Sequence, residues 1–490
     1  MTRVTRSTST PRRAHLSQRE LQAHPRINFR VDEILGELIE RYAQTQQPIG
    51  VSFRELVHWL PSGERATHFI HPYPAKLLAH IPHLFLTNSL LSQPGDTVLD
   101  PFCGSGTVLL EAVLAERHAL GVDANPLARL IAQVKVRRIS ENRLRAALAL
   151  LLKQMSLQGA VRAPVVVNRE YWFYPHIADQ LARLAFAVEK IRNIDVRDFF
   201  RVCLSSCVRR VSLADPRLSV PVRLRRSQYP RKHWLYEKTI RRLNRLRRIN
   251  VASAFVEIVE ANIRRMQAFY ALSLCGESNI SGVVVGSDAR DLRDERGLIG
   301  PVGRRLRAGS VDLIITSPPY LGAQKYIRAS SLSLGWLNLV GNRTLREIED
   351  ENIGREHFPV ETYVKSLQTG MPEADAVISR IREQSPLRAH IAATYLIEMC
   401  AAIEECVRIL KPGGYFVLVA ANNRVCGAEF HTQEYLQSIA KRQDLALRLR
   451  LSDAIKARGL MTRRNTTSGL IESESVFLFQ KPVRLRRSER

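Results

Sequence analysis

The run Thr97-Val98-Leu99-Asp100-Pro101-Phe102-Cys103-Gly104-Ser105-Gly106-Thr107, continued by Val108-Leu109-Leu110-Glu111-Ala112-Val113-Leu114-Ala115, decides the fold. A short apolar stretch ends in an acid, a turn with two glycines follows, and a helical apolar stretch takes over. Strand, glycine turn and helix in that order open a nucleotide-binding βαβ unit. The glycines let the backbone approach a ligand closely, and the helix start offers N–H groups without intrahelical partners. The next strand, His118-Ala119-Leu120-Gly121-Val122, closes on Asp123, nineteen residues after Gly104. A carboxylate at that point is placed to accept hydrogen bonds from ribose hydroxyls. The third glycine of dinucleotide sites is absent, because Thr107 and the helix follow at once. The unit thus points away from NAD and towards an adenosyl ligand without a pyrophosphate.

A second stretch repeats the strand-to-turn pattern. Val311-Asp312-Leu313-Ile314-Ile315 is apolar and rich in β-branched residues, and it stops at Thr316-Ser317-Pro318-Pro319-Tyr320. Neither proline donates a backbone hydrogen bond, and a residue before proline is pushed towards extended geometry. The segment reads as a buried strand opening into a rigid, acceptor-rich turn with an aromatic ring, at the end of the sheet where α/β proteins bind ligands. Such a site suits a planar molecule carrying an amino group; a proline-stiffened loop is the plainer alternative.

The 490 residues leave room for two or three domains, and an apolar content of 45% with 24% charged residues is ordinary for a globular chain. The balance of 73 Lys+Arg against 47 Asp+Glu, a net +26, is not, and implies a polyanionic partner such as nucleic acid. Seven scattered cysteines without paired CxxC elements argue against a metal site and for a reducing, cytoplasmic setting. His68, His71 and His80 match no common ligand spacing, so no metal is expected. No apolar run approaches the ~18 residues of a membrane span.

Five segments follow from the pattern: a disordered basic arm (1–27), an N-terminal cofactor-binding part (28–134), a basic helical insertion (135–275), a C-terminal catalytic part (276–480) and a basic tail (481–490). Within the insertion, residues 201–250 carry fifteen Lys/Arg against two acids, with aromatics interleaved at Tyr229, Trp234 and Tyr236. Clustering of that kind suits phosphate contact through Arg223, Arg225, Arg226, Arg231, Lys232, Arg247 and Arg248. Val283-Val284-Val285 reads as a strand leading to Asp288. Residues 344–386 read as a mobile or inserted loop region and 433–457 as a helix. The run Ser475-Val476-Phe477-Leu478-Phe479-Gln480 reads as a late strand.

Together these motifs resemble the amino-methylating DNA methyltransferases, enzymes that use S-adenosylmethionine (AdoMet) to methylate cytosine N4 or adenine N6. Asp100 to Thr107 looks like the family's AdoMet-binding motif, and Ser317-Pro318-Pro319-Tyr320 like its catalytic [DNS]-P-P-[YFW] turn. His71-Pro72-Tyr73-Pro74-Ala75-Lys76 resembles the element that closes over the methionine end of the cofactor. The resemblance covers about half the chain. It implies a Rossmann-like α/β methyltransferase sheet, mostly parallel with an antiparallel strand near the C-terminus, carrying the basic helical insertion.

It also implies roles. Tyr73, Lys76, Asp100, Phe102, Gly104, Gly106, Thr107, Asp123 and Asp288 are expected at the cofactor, with Asp123 on the ribose and Asp288 on the adenine amino group. Ser317 and the Pro318 carbonyl are expected to accept hydrogen bonds from the target amine, with Pro319 in the turn and Tyr320 stacked on a flipped base. Ser rather than Asp at 317 leans towards cytosine N4. Double-stranded DNA is the expected substrate, and a cognate restriction endonuclease is a candidate partner; no metal or membrane is expected. The alternatives are adenine-N6 methylation of DNA, amino-methylation of RNA, and an inactive nucleic-acid-binding protein.

Overall fold

A computed structural model describes residues 29–61, 65–74, 76–157, 159, 161–273, 279–292, 306–322, 325–454 and 473–483. The expected N-terminal arm (1–27) and all but the first three residues of the tail (481–490) lie outside them. Ten strands are present among these residues: β1 (Ile49–Val51), β2 (Thr97–Asp100), β3 (His118–Val122), β4 (Gly282–Gly286), β5 (Val311–Thr316), β6 (Leu410–Ala420), β7 (Asn423–Val425), β8 (Ala428–Phe430), β9 (Ala446–Ala454) and β10 (Ser473–Gln480). Eight form one sheet in the order β1-β9-β10-β6-β5-β2-β3-β4, and β7 pairs with β8 as a separate hairpin. The run from β6 to β4 is parallel throughout. β10 is antiparallel to both β6 and β9, as expected of a late antiparallel strand. β1 adds to the far edge, parallel to β9.

Both faces of the sheet are covered, which is why its strands read as continuous apolar runs rather than alternating ones. Successive side chains point to opposite faces. Leu313, Ile315, Val417, Val419, Val476 and Leu478 join a core with helices Phe29–Thr45, His80–Leu86 and Thr107–Leu114. Ile314, Phe416, Leu418, Phe477 and Phe479 face the other way, onto helices Pro372–Gln384, Pro386–Ile409 and Thr432–Arg442. This is a three-layer, doubly wound α/β architecture.

The helical insertion enters between β3 and β4. Its helices Glu141–Leu157, Pro175–Glu189, Ile194–Val211 and Val251–Ser273 bury Leu144, Leu181, Phe199 and Phe255 in one cluster. That cluster also contains Leu127 and Ile131 of helix Pro126–Lys135, and Leu334 and Trp336 of helix Tyr326–Trp336. The insertion therefore shares a core with the elements that carry the site. A smaller cluster of Leu213, Leu224, Leu243 and Leu246 anchors the most basic stretch, including helix Trp234–Leu246.

Two expectations fail here. Residues 433–457 are not one helix: helix Thr432–Arg442 stops, Asp444 adopts a left-handed φ of 59°, and β9 follows. The alternation Leu447-Arg448-Leu449-Arg450-Leu451 carries the period of two that specifies a strand, and it outweighs the helical composition around it. Residues 344–386 are not a structureless loop. They hold helices Leu345–Asp350, Val360–Tyr363 and Pro372–Gln384, the first opened by a capping box between Thr344 and Glu347.

Candidate active site

In the sheet order, β2 leads outward through β3 to β4 on one side, while β5 and β6 lie on the other. The connections thus diverge at the β2/β5 boundary, and open α/β sheets bind ligands in the crevice at such a point. Both motifs sit there. Leu99 pairs with Ile314, and beyond the paired residues the Thr316 hydroxyl donates to Asp100 Oδ1 at 2.6 Å. The glycine turn after β2 and the Ser-Pro-Pro-Tyr turn after β5 are thereby neighbours, although more than 200 residues separate them.

The glycine turn is held from several sides. Gly106, at φ 76°, is the N-cap of helix Thr107–Leu114, and a Cβ on it would stand 2.9 Å from Ala132 Cα. Only a residue without a side chain lets the turn lie against helix Pro126–Lys135. Gly104 is also left-handed (φ 49°), and its N–H donates to Asp123 Oδ2 at 2.8 Å. Asp123 Oδ1 accepts the Asn125 N–H at 2.8 Å, and burial raises the carboxyl's pKa. Asn125 caps its helix through Leu127 N–H, with Pro126 in the first helical position. Its amide also donates to Tyr73 Oη (3.0 Å) and Ser330 Oγ (3.1 Å), joining the upstream motif, the turn and the helix after β5.

The crevice opens about 650 Å³ between Tyr73, Phe102, Gly104, Asp123, Asp288 and Ser317. A carboxylate beside a glycine-lined backbone, two aromatic walls and acidic edges fit an adenosyl-sulfonium cofactor, whose ribose diol and positive charge such groups would hold.

Other expected residues take different positions. Asp100 does not line the crevice; it lies behind it, accepting from Thr316 and from Phe102 N–H, and burial pushes its pKa up to about 7. Thr107 is buried at the helix start. Lys76 points its ammonium at the His68 and His71 carbonyls (3.1 and 2.6 Å), where burial lowers its pKa to about 8. Asp288 lines the crevice, but both its oxygens already receive the Arg290 guanidinium at 2.9 Å, and Oδ1 also takes the Arg290 N–H. Little acceptor capacity remains there for a cofactor amino group. Arg290 continues to Glu398, which also holds Arg355.

At the catalytic turn, Ser317 and Pro319 line the crevice, Pro318 is buried, and the Tyr320 hydroxyl donates to Glu474 Oε1 of β10 at 2.7 Å. Tyr326, Glu351, Asn352 and Ile353 complete the wall. Sequence reading missed these four along with Asn125 and Glu474. Nothing local signalled the Asn125 cap, the reach of its amide or the return of the 344–386 segment over the crevice.

Of the three upstream histidines, His68 and His71 have structural side-chain partners, while His80 is buried with neither ring nitrogen hydrogen-bonded among the described residues. His68 and His83 hydrogen-bond Glu111 (2.6 and 3.1 Å), which Arg65 also pairs. Burial alone would raise the Glu111 pKa, but Arg65 and the two histidines hold it well below the ordinary range. His71 Nε2 meets Ser205 Oγ at 2.8 Å, and Ser205 donates to Ser333 at the same distance.

On the insertion, Arg225, Arg226, Arg231, Lys232, Arg247 and Arg248 are exposed. Arg223 lies 4.5 Å over the Tyr171 ring. Tyr229, His233 and Trp234 form a stack with centroid spacings of 4.8 and 6.1 Å. Trp234 is 67% exposed, with Lys238 Nζ 4.7 Å from its ring centre. Among the described residues no helix is long and apolar enough to cross a membrane.

The mostly parallel doubly wound sheet and the crevice at its switch point are of the Rossmann-like kind that AdoMet-dependent methyltransferases have. Residues 44–133 match the profile of a DNA methylase family. The chain is 23% identical over 398 residues to a Type II methyltransferase of Kocuria varians, M.MvaI, covering 77% of this chain and 82% of that one. It is 24% identical over 376 residues to M.AvaI of Nostoc, covering 71% and 72%. A SAM-dependent methyltransferase of Methanosarcina mazei aligns in structure at 10% identity and a TM-score of 0.28, over 80% of this chain and 95% of that one. The chain is related by sequence to the amino-methylating DNA methyltransferases.

Proposed function

We propose that this AdoMet-dependent DNA methyltransferase acts on the exocyclic N4 amine of a flipped cytosine in double-stranded DNA. The observation that carries the proposal is the Thr316–Asp100 hydrogen bond between neighbouring strand ends, which joins the Ser-Pro-Pro-Tyr turn to the glycine turn and supports reading the two as one amine-methylating site. AdoMet, when bound, supplies a methyl group on a cationic sulfur. Tyr73, Phe102, Gly104 and Asp123 are the residues to hold it, with Asp123 on the ribose. Asp288 serves the adenine amino group only where Arg290 shifts its hydrogen bonds to Glu398 and the Glu351 carbonyl, both already partners.

An exocyclic amine conjugated with its ring is a poor nucleophile. Ser317 and the Pro318 carbonyl, by accepting its two N–H bonds, draw the nitrogen out of the ring plane and free its lone pair. Positioning of this kind can contribute ~7–11 kcal/mol to lowering a barrier. Stacking against Tyr320 offsets part of the cost of removing the base from the duplex. Ser317, rather than an aspartate, favours cytosine N4 over adenine N6. The arginine-rich, aromatic-bearing face of the insertion supports a duplex backbone as the partner.

The test is transfer of labelled methyl from AdoMet to unmodified DNA and to tRNA in parallel, followed by nucleoside analysis. Label in DNA as N4-methylcytosine is expected. Label confined to N6-methyladenine would overturn the choice of base, and label confined to tRNA would overturn the choice of polymer.

A further inference from the structure

Tyr320 is tied to a residue 154 positions away that no motif includes. Its hydroxyl donates to Glu474 Oε1 at 2.7 Å, across from the turn after β5 to the second residue of β10. The Ser317 hydroxyl also interacts with Tyr320, lowering its pKa as a donor to the phenol oxygen does. A carboxylate only accepts, so it fixes the direction of the whole chain: Ser317 donates to Tyr320, and Tyr320 donates to Glu474. The lone pairs of Ser317 Oγ are then left facing the crevice that Ser317 lines.

We infer that Glu474 is a positioning residue for methyl transfer, orienting the Ser317–Tyr320 hydroxyl chain so that Ser317 accepts from the target amine, and that it receives the proton the amine loses. The inference rests on the amine-methylating reading above. The balance closes without a further reagent. The amine nitrogen forms the new N–C bond while the S–C pair stays with sulfur, leaving the nitrogen cationic. One N–H proton passes to Ser317 Oγ as the serine proton moves to Tyr320 Oη and the tyrosine proton to Glu474. The methylated amine ends neutral and Glu474 ends protonated, resetting by exchange with solvent.

The environment of Glu474 suits the task. Burial raises its pKa, as does Asp453, its antiparallel partner on β9, while the bond from Tyr320 opposes them. A carboxylate made more basic in this way is a better proton acceptor near neutrality. Tyr320 is pushed well up by burial and by Glu474, with Tyr326 adding to the effect, so it relays a proton without standing as phenolate. Asp453 and Tyr326 are thus the further titratable groups that act on the Tyr320–Glu474 pair.

The decisive comparison is wild type against Glu474→Gln, with Glu474→Asp as the conservative control. Single-turnover methylation of unmodified DNA is followed from pH 5.5 to 8.5, alongside AdoMet affinity. The wild-type rate is expected to fall on the acid side as Glu474 protonates. Glu474→Gln is expected to be about 100-fold slower near neutrality, within the range for loss of general-base assistance. It should lose that acid limb, with AdoMet affinity within twofold and partial recovery in Glu474→Asp. Asp100 titrates in both proteins and shows in AdoMet binding, so only the limb removed by the variant counts.

A second readout needs no cofactor. In protein carrying 13C-labelled tyrosine, the Tyr320 ring signal, identified by its loss in Tyr320→Phe, should titrate lower in Glu474→Gln. An unchanged Tyr320 signal, a wild-type rate, or a uniform slowing that keeps the acid limb would each overturn the assignment. A wild type that labels no DNA would instead sink the functional reading, and the relay with it.

Discussion

Tyr320 stands off the cofactor crevice, beyond Ser317 and Pro319, with its hydroxyl anchored on β10. Tyr320→Ala is therefore expected to leave AdoMet affinity within about threefold, while methyl transfer falls by two orders of magnitude or more; calorimetry beside a transfer assay separates the two. Asp100 gives a prediction with a sign. Its carboxyl prefers the proton up to about pH 7, against 3.8 when solvated, so the stability it contributes declines as pH rises between those values. Keeping it ionised costs about 4 kcal/mol at ~1.4 kcal/mol per pKa unit. A cationic cofactor nearby favours the ionised form. AdoMet binding at pH 6 should then release up to one proton and tighten as pH rises towards 7. Calorimetry in two buffers of different ionisation enthalpy checks this, and Asp100→Asn should abolish the dependence. Residue types in strand context were enough to place Asp123, Gly104 and Ser317 in one crevice. Glu474 and Arg290 were invisible, because their meaning lies in contacts across 154 and 108 positions.

The glycine turn is where local geometry is least forgiving. Gly106→Ala asks an L side chain to adopt φ 76° and to occupy space 2.9 Å from the Ala132 backbone. The strain is about 1–3 kcal/mol. Because the turn is also the crevice floor, cofactor affinity should fall more than overall stability does. A melting curve with and without AdoMet reads both, and an Ala variant that keeps its full ligand-induced shift would contradict this. Among the elements, β2 to β6 were legible because buried parallel strands announce themselves as apolar runs. β9 was not: Leu447 to Leu451 alternates, but arginines at every second position gave it the composition of a helix. The three-residue β1 is too short to carry any periodicity.

Within the insertion, residues 201–250 carry fifteen Lys/Arg against two acids, and Arg225, Arg226, Arg247 and Arg248 are exposed. Reversing Arg225, Arg226, Arg247 and Arg248 to glutamate should weaken DNA binding at low salt and flatten its dependence on ionic strength, since every phosphate left unneutralised takes about 0.9 off the slope. A salt titration of binding by fluorescence anisotropy decides it; an unchanged slope would return those arginines to the role of solvated surface. Composition alone made a polyanionic partner visible, but not that the insertion shares buried residues with helices Pro126–Lys135 and Tyr326–Trp336.

The His71–Ser205–Ser333 chain runs through that shared core. It threads one buried imidazole, held neutral with its pKa near 3, between the cofactor-side segment, the insertion and the helix that follows the catalytic turn. A segment wired in this way is not a cassette. Removing it would leave His71 and Ser333 without the serine that links them, so the insertion and the site-bearing elements are built as one piece.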